Sequence, residues 1–215
     1  MKRLLILLVA SLVPAAGAAA LELILAPAGV RVEGATRGGN VALVAAAREE
    51  SAPGLNTRMT QIAEVLQDHD GNGSVEYNLN RPLPAHSIWI AVDQRTGEFV
   101  TATPPTFGDR RMALPEGLVK NVPADDLDQI VSDRFVSGML WVQPGNGGGV
   151  WTARTADGAS NDEDGANDGK SVVSAAAFRA LEGSDKAPKK LKTGDVVAVI
   201  DPYELRYAVV TVTKR

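Results

Sequence analysis

The chain has 215 residues, 45% of them apolar, with no cysteine and a formal net charge of −4. That length carries one large β domain or two small ones, and the apolar fraction suffices for a packed core. The acidic balance speaks against nucleic acid and anionic membrane surfaces as partners, and the missing cysteine rules out disulfides, a Cys nucleophile and a lipoprotein anchor.

Lys2 and Arg3 precede an apolar run from Leu4 to Val13, then Pro14 and small residues ending Ala18-Ala19-Ala20. A charged start, a short apolar stretch and a small-residue end are the parts of a secretory signal peptide, here residues 1–20 with cleavage expected after Ala20. A run of about ten apolar residues cannot cross a hydrocarbon core that needs roughly twenty. The mature chain is therefore expected to be exported, periplasmic or extracellular, with no transmembrane segment.

The remainder reads as strands between turns, in keeping with 21 Gly and 12 Pro. Residues 29–33 lead through a Gly38-Gly39-Asn40 turn into residues 41–47. Residues 58–66 carry Met59, Ile62 and Leu66 at helical spacing, but their place between strand candidates makes a strand the expected state. Residues 74–80 set Val75, Tyr77 and Leu79 against Glu76, Asn78 and Asn80, the period-two pattern of a half-buried strand. Residues 87–93 and 98–102 flank Gln94-Arg95-Thr96-Gly97 as a hairpin.

The Pro104-Pro105 break opens a linker, residues 104–128. Residues 129–142, 150–155, 172–181 and 195–212 again read as strands. The loop Pro144-Gly145-Asn146-Gly147-Gly148-Gly149 could cradle a phosphate only if it led into a helix N-terminus. It leads into Val150-Trp151-Thr152, a strand pattern, so a hairpin loop is expected.

The two halves share a pattern. Ile90-Ala91-Val92-Asp93 with Phe99 corresponds to Ala198-Val199-Ile200-Asp201 with Tyr207, the aromatic standing at the same offset from the Asp. An acid-rich turn precedes each: residues 68–76 and residues 161–170. This reads as a degenerate tandem repeat of one β unit.

The first of these turns is the leading site candidate. Asp68, Asp70, Asn72, Ser74 and Glu76 stand at every second position, with Gly73 sixth, as in the first half of an EF-hand calcium loop. Position 12 is Leu79 instead of a bidentate carboxylate. Calcium is thus the candidate cofactor, beside a plain turn in which Asx side chains bond nearby backbone. In the second turn Asp164 and Asp168 are the weaker metal candidates, since Ala166 takes the place matching Asp70.

Gly29-Val30-Arg31-Val32-Glu33-Gly34-Ala35, the Gly38-Gly39 turn and Val41-Ala42-Leu43-Val44 resemble secreted bacterial immunoglobulin-like modules of the IPT/TIG type. The resemblance implies a mainly β fold: two tandem immunoglobulin-like β-sandwich units, residues 21–103 and 129–215, after a cleaved signal peptide. It further implies an adhesion, spacer or carbohydrate-adjacent role, not catalysis. The partner would be an unidentified protein or glycan.

Catalytic motifs are sparse. The two histidines, His69 and His86, read as solvent-facing and strand-entry residues, and no nucleophile elbow or His-Glu-x-x-His helix occurs. The alternative is an extracellular hydrolase or carbohydrate-active protein using dispersed carboxylates such as Asp93, Asp201 or Glu204, although nothing sets them at a glycosidase spacing. Trp89, Trp141 and Trp151 lie on strand candidates and are expected in the core, not on a sugar-stacking face.

Overall fold

The computed structural model describes residues 20–26, 28–49, 58–80, 87–103, 129–132, 137–153, 159–160, 171–174, 178–181, 190–201 and 206–213. Residues 1–19 of the expected leader, the 104–128 linker, His86, Glu204 and the second acidic turn with Asp164 and Asp168 lie outside the described residues.

The described residues form strands and no helix. The first half holds β1 (Glu22–Ala26), β2 (Gly29–Glu33), β3 (Asn40–Glu49), β4 (Arg58–Gln67), β5 (Ser74–Asn78), β6 (Ser87–Asp93) and β7 (Phe99–Ala102). The second holds β8 (Gln129–Ser132), β9 (Ser137–Val142), β10 (Val150–Ala153), β11 (Ala159–Ser160), β12 (Ser171–Ser174), β13 (Arg179–Ala180), β14 (Val196–Asp201) and β15 (Arg206–Thr211). The segment with helical spacing is indeed a strand, β4, paired with β3 over its whole length. Strand β1 was not evident beside the leader. Leu21 and Leu23 alternate inward against exposed Glu22 and Ile24, so one face of the strand is buried.

Among the described residues all pairings are antiparallel, in four sheets ordered β1-β2-β5, β4-β3-β6-β7, β13-β10-β9-β14-β15 and β11-β12-β8. The β6–β7 hairpin pairs Val92 with Phe99, and the β14–β15 hairpin pairs Ile200 with Tyr207. The residues that match in sequence therefore occupy the same register. The strand order β10-β9-β14-β15 is laid out like β4-β3-β6-β7.

Three cores stack through the molecule. Leu23, Val30, Val32 and Val75 of the β1-β2-β5 sheet meet Val41, Leu43, Ala45, Trp89 and Ala91 of the next sheet. The opposite face of that sheet, with Ala42, Val44, Ala46, Ile88, Ile90 and Val92, packs on Leu140, Val142, Val150, Val196, Ala198, Ile200 and Val209. A third core on the far side of β9 and β14 gathers Met139, Trp141, Trp151, Phe178, Leu191, Val197 and Val199. Strands β3, β6 and β14 are thus apolar on both faces, which is why they read as continuous apolar runs and not as alternating ones. Small Ala42, Ala46 and Ala198 interleave with Ile88, Ile90, Leu140 and Ile200 between the halves.

At the loop end the halves are also joined by polar contacts. Gln94 O accepts from Gly145 N at 3.0 Å and its Nε2 donates to Gly148 O, while its own N–H donates to Asn40 O within the first half. Gly97 has φ 75°, and a Cβ there would stand 2.8 Å from Pro144 Cγ and 3.2 Å from Val196 Cγ2, so only Gly lets the β6–β7 turn seat on the second half.

Candidate functional site

The acidic turn, the β2–β3 loop, the β6–β7 turn and the glycine loop between β9 and β10 cluster at one end of the packed sheets. Asp68 directly follows β4 and is buried. Its carboxylate accepts the N–H groups of Gly38 (2.9 Å), Gly73 (2.8 Å) and Asn72 (3.2 Å). The Gly38 N–H chiefly, with those of Gly73 and Asn72, holds its carboxyl below the ordinary range despite burial. Asp68 therefore pins a loop thirty residues upstream to its own turn.

The other members of the alternating set diverge. Asp70 and His69 are exposed, the latter as expected. Asn72 Oδ1 accepts the Ser74 N–H at 2.7 Å, closing an Asx turn. Glu76 lies on the outer face of the β1-β2-β5 sheet, opposite Arg31, whose Nε is 3.2 Å from Glu76 Oε1 and 3.4 Å from Glu33 Oε1. These exposed pairs are worth about 0–1 kcal/mol. The N–H dipoles converging on Asp68 point their positive ends where a cation would have to stand. Among the described residues no group of three or more acidic or His side chains is gathered as a metal would require.

Gly73 closes the turn with φ 81°, and a Cβ there would lie 2.8 Å from Ala35 O. Gly73→Ala is expected to lower stability by about 1–3 kcal/mol, from backbone strain and this clash. Urea unfolding measures it, and a change within experimental error would show that the turn is loosely held.

Two further carboxylates are built in the same way. Asp93 ends β6 and accepts Thr36 N (2.6 Å), Arg95 N (2.8 Å) and Thr96 N (3.0 Å). Burial pushes its carboxyl up, but these donors and the Thr36 hydroxyl outweigh burial and leave it below the ordinary range. Asp195 precedes β14 and accepts Trp141 Nε1–H and Lys192 N–H, both at 2.9 Å. There burial dominates and the carboxyl is raised, the donors only moderating the shift. Nothing in Lys192-Thr193-Gly194-Asp195 announces a partner fifty-four residues away. Asp201 is buried at the end of β14. Trp89, Trp141 and Trp151 are all buried; the Trp141 ring lies 5.0 Å from that of Trp151, tilted by 52°, and edge-on to Phe178 at 5.4 Å.

Between these anchors lies a polar cleft of about 330 Å³, with Asn40, Gln67, Gln94, Arg95 and Asn146 on its walls together with the glycines of the two loops. Its lining residues come from both halves, and the sequence marks only their turn chemistry. Fold and site together define a mainly β protein whose described residues form stacked antiparallel sheets, with a polar cleft at one end. Among the described residues no helix is long and apolar enough to cross a membrane. Comparison with protein-family models, with curated proteins and with solved structures found no match.

Proposed function

We propose that the protein is an exported, non-catalytic binding or structural protein built from two immunoglobulin-like β-sandwich units of the IPT/TIG kind. The observation that carries the non-catalytic reading is the use of Asp68, Asp93 and Asp195 as acceptors for backbone and indole N–H groups, which leaves them as anchors for loops and not as acids or bases facing a substrate. Immunoglobulin-type sandwiches divide their strands into an ABED-type sheet and a CFG-type sheet. Strands β1, β2 and β5 match A, B and E, while β3, β6 and β7 match C, F and G with β4 added at the edge. In the second half β8, β11 and β12 match B, D and E, and β9, β14 and β15 match C, F and G. On this reading the two CFG faces pack on each other, as the shared core of Ile90, Leu140 and Ile200 requires.

Export is tested by expressing the full chain in a bacterium, fractionating the cells and sequencing the recovered N-terminus. The expected product begins at Leu21 in the periplasm or medium, and an unprocessed chain in the cytosol overturns export. The hydrolase alternative is favoured if glycan or ester turnover is found that Asp93→Asn or Asp201→Asn abolishes. Calcium is a separable part of the proposal: a cation bound at the 68–76 turn raises the melting temperature with its concentration relative to its Kd. A melting temperature equal in calcium and in chelator removes the ion and leaves the turn to Asp68 and its backbone partners.

A further inference from the structure

The cleft at the junction of the halves is rich in hydrogen-bonding groups that the fold does not use. The Arg95 guanidinium and the side-chain amides of Asn40, Gln67 and Asn146 have no partner among the described residues, whereas the neighbouring carboxylates Asp68 and Asp93 are occupied by backbone amides. No carboxylate is among the described residues of its lining, which carries one positive charge. Gln94 adds a second observation. Its Nε2 is held by Gly148 O, but its Oε1 is buried with no donor, an acceptor deficit that an entering hydroxyl or water removes.

The size, about 330 Å³, lies at the small end of the roughly 300–1,000 Å³ found for ligand clefts. The chemistry is also selective. Amides donate and accept, as sugar hydroxyls do, and a guanidinium binds a carboxylate by paired charge-assisted bonds. An apolar ligand would leave all these groups desolvated without partners. We infer that this cleft binds a small acidic saccharide of the uronic-acid class, its carboxylate on Arg95 and its hydroxyls on Asn40, Gln67 and Asn146. This rests on the reading of the protein as an exported binding module.

The probes are glucuronate, glucose and inorganic phosphate, titrated calorimetrically into the mature chain. Glucuronate is expected to saturate, with glucose and phosphate each at least about tenfold weaker, because each lacks one of the two recognition elements. Arg95→Gln, at an exposed position, is expected to weaken glucuronate by about tenfold and to leave glucose and the melting temperature unchanged. Asn146→Ala is expected to weaken both sugars. Phosphate binding as tightly as glucuronate overturns the saccharide, as does a glucuronate affinity that ignores both substitutions. A processed, cooperatively folded protein that binds none of the three overturns the cleft while leaving the architecture intact, whereas a cytosolic unprocessed chain overturns the underlying reading.

Discussion

Asp93→Ala is expected to lower stability by about 3 kcal/mol, with the urea midpoint falling and the m-value unchanged. The side chain is buried, and its removal leaves the Thr36, Arg95 and Thr96 N–H groups without their acceptor. Arg95 and Thr96 are exposed and turn to water, so most of the loss falls on half-buried Thr36, whose loop also lines the cleft region through Gly38 and Gly39. Asp68→Ala acts in the same direction on the other side of that loop. A loss below about 1 kcal/mol for Asp93→Ala would place it within ordinary surface substitutions and refute the anchor.

The same carboxylates fix the pH profile. Asp68 and Asp93 have folded pKa values below their unfolded ones, so their stabilisation is present above the ordinary carboxylate range and is lost as pH falls through the folded values. Asp195 has the opposite sign: its raised carboxyl favours the folded state below the unfolded value and loses that contribution as pH rises through the folded one.

The strands were legible because hydrophobic pattern and turn chemistry act locally. Val75, Tyr77 and Leu79 alternate, and the matched hairpins at Asp93 and Asp201 pair in the same register. Boundaries failed where no local signal exists: residues 172–181, read as one strand, give β12 and β13 in different sheets. The carboxylates at residues 68–76 were visible, but their partners were not. Asp68 meets Gly38, Asp93 meets Thr36 and Asp195 meets Trp141, all contacts between segments far apart in the chain. The cleft was invisible for the same reason, since Asn40, Gln94 and Asn146 become neighbours only when the two halves pack. Continuous apolar runs in β3, β6 and β14 were the one available sign that the sheets are covered on both faces.

That double coverage yields the second large effect. Ile90→Ala, at a fully buried position in the core shared by the halves, is expected to lower stability by about 3 kcal/mol through lost burial and the cavity left behind. The loss is expected in both halves at once, because Ile90 packs in one cluster with Leu140, Ala198, Ile200 and Val209 of the second half. Hydrogen exchange across a urea series reads this directly. Amides of β3 and β6 and those of β14 and β15 are expected to lose protection at the same midpoint, shifted together by the substitution. Separate midpoints, with only β3 and β6 moving, would make the two units energetically independent despite their contact. In that case residues 21–103 expressed alone would stay monomeric; with a shared core, the bared face of Ala42, Val44, Ala46, Ile88, Ile90 and Val92 makes the fragment associate or unfold.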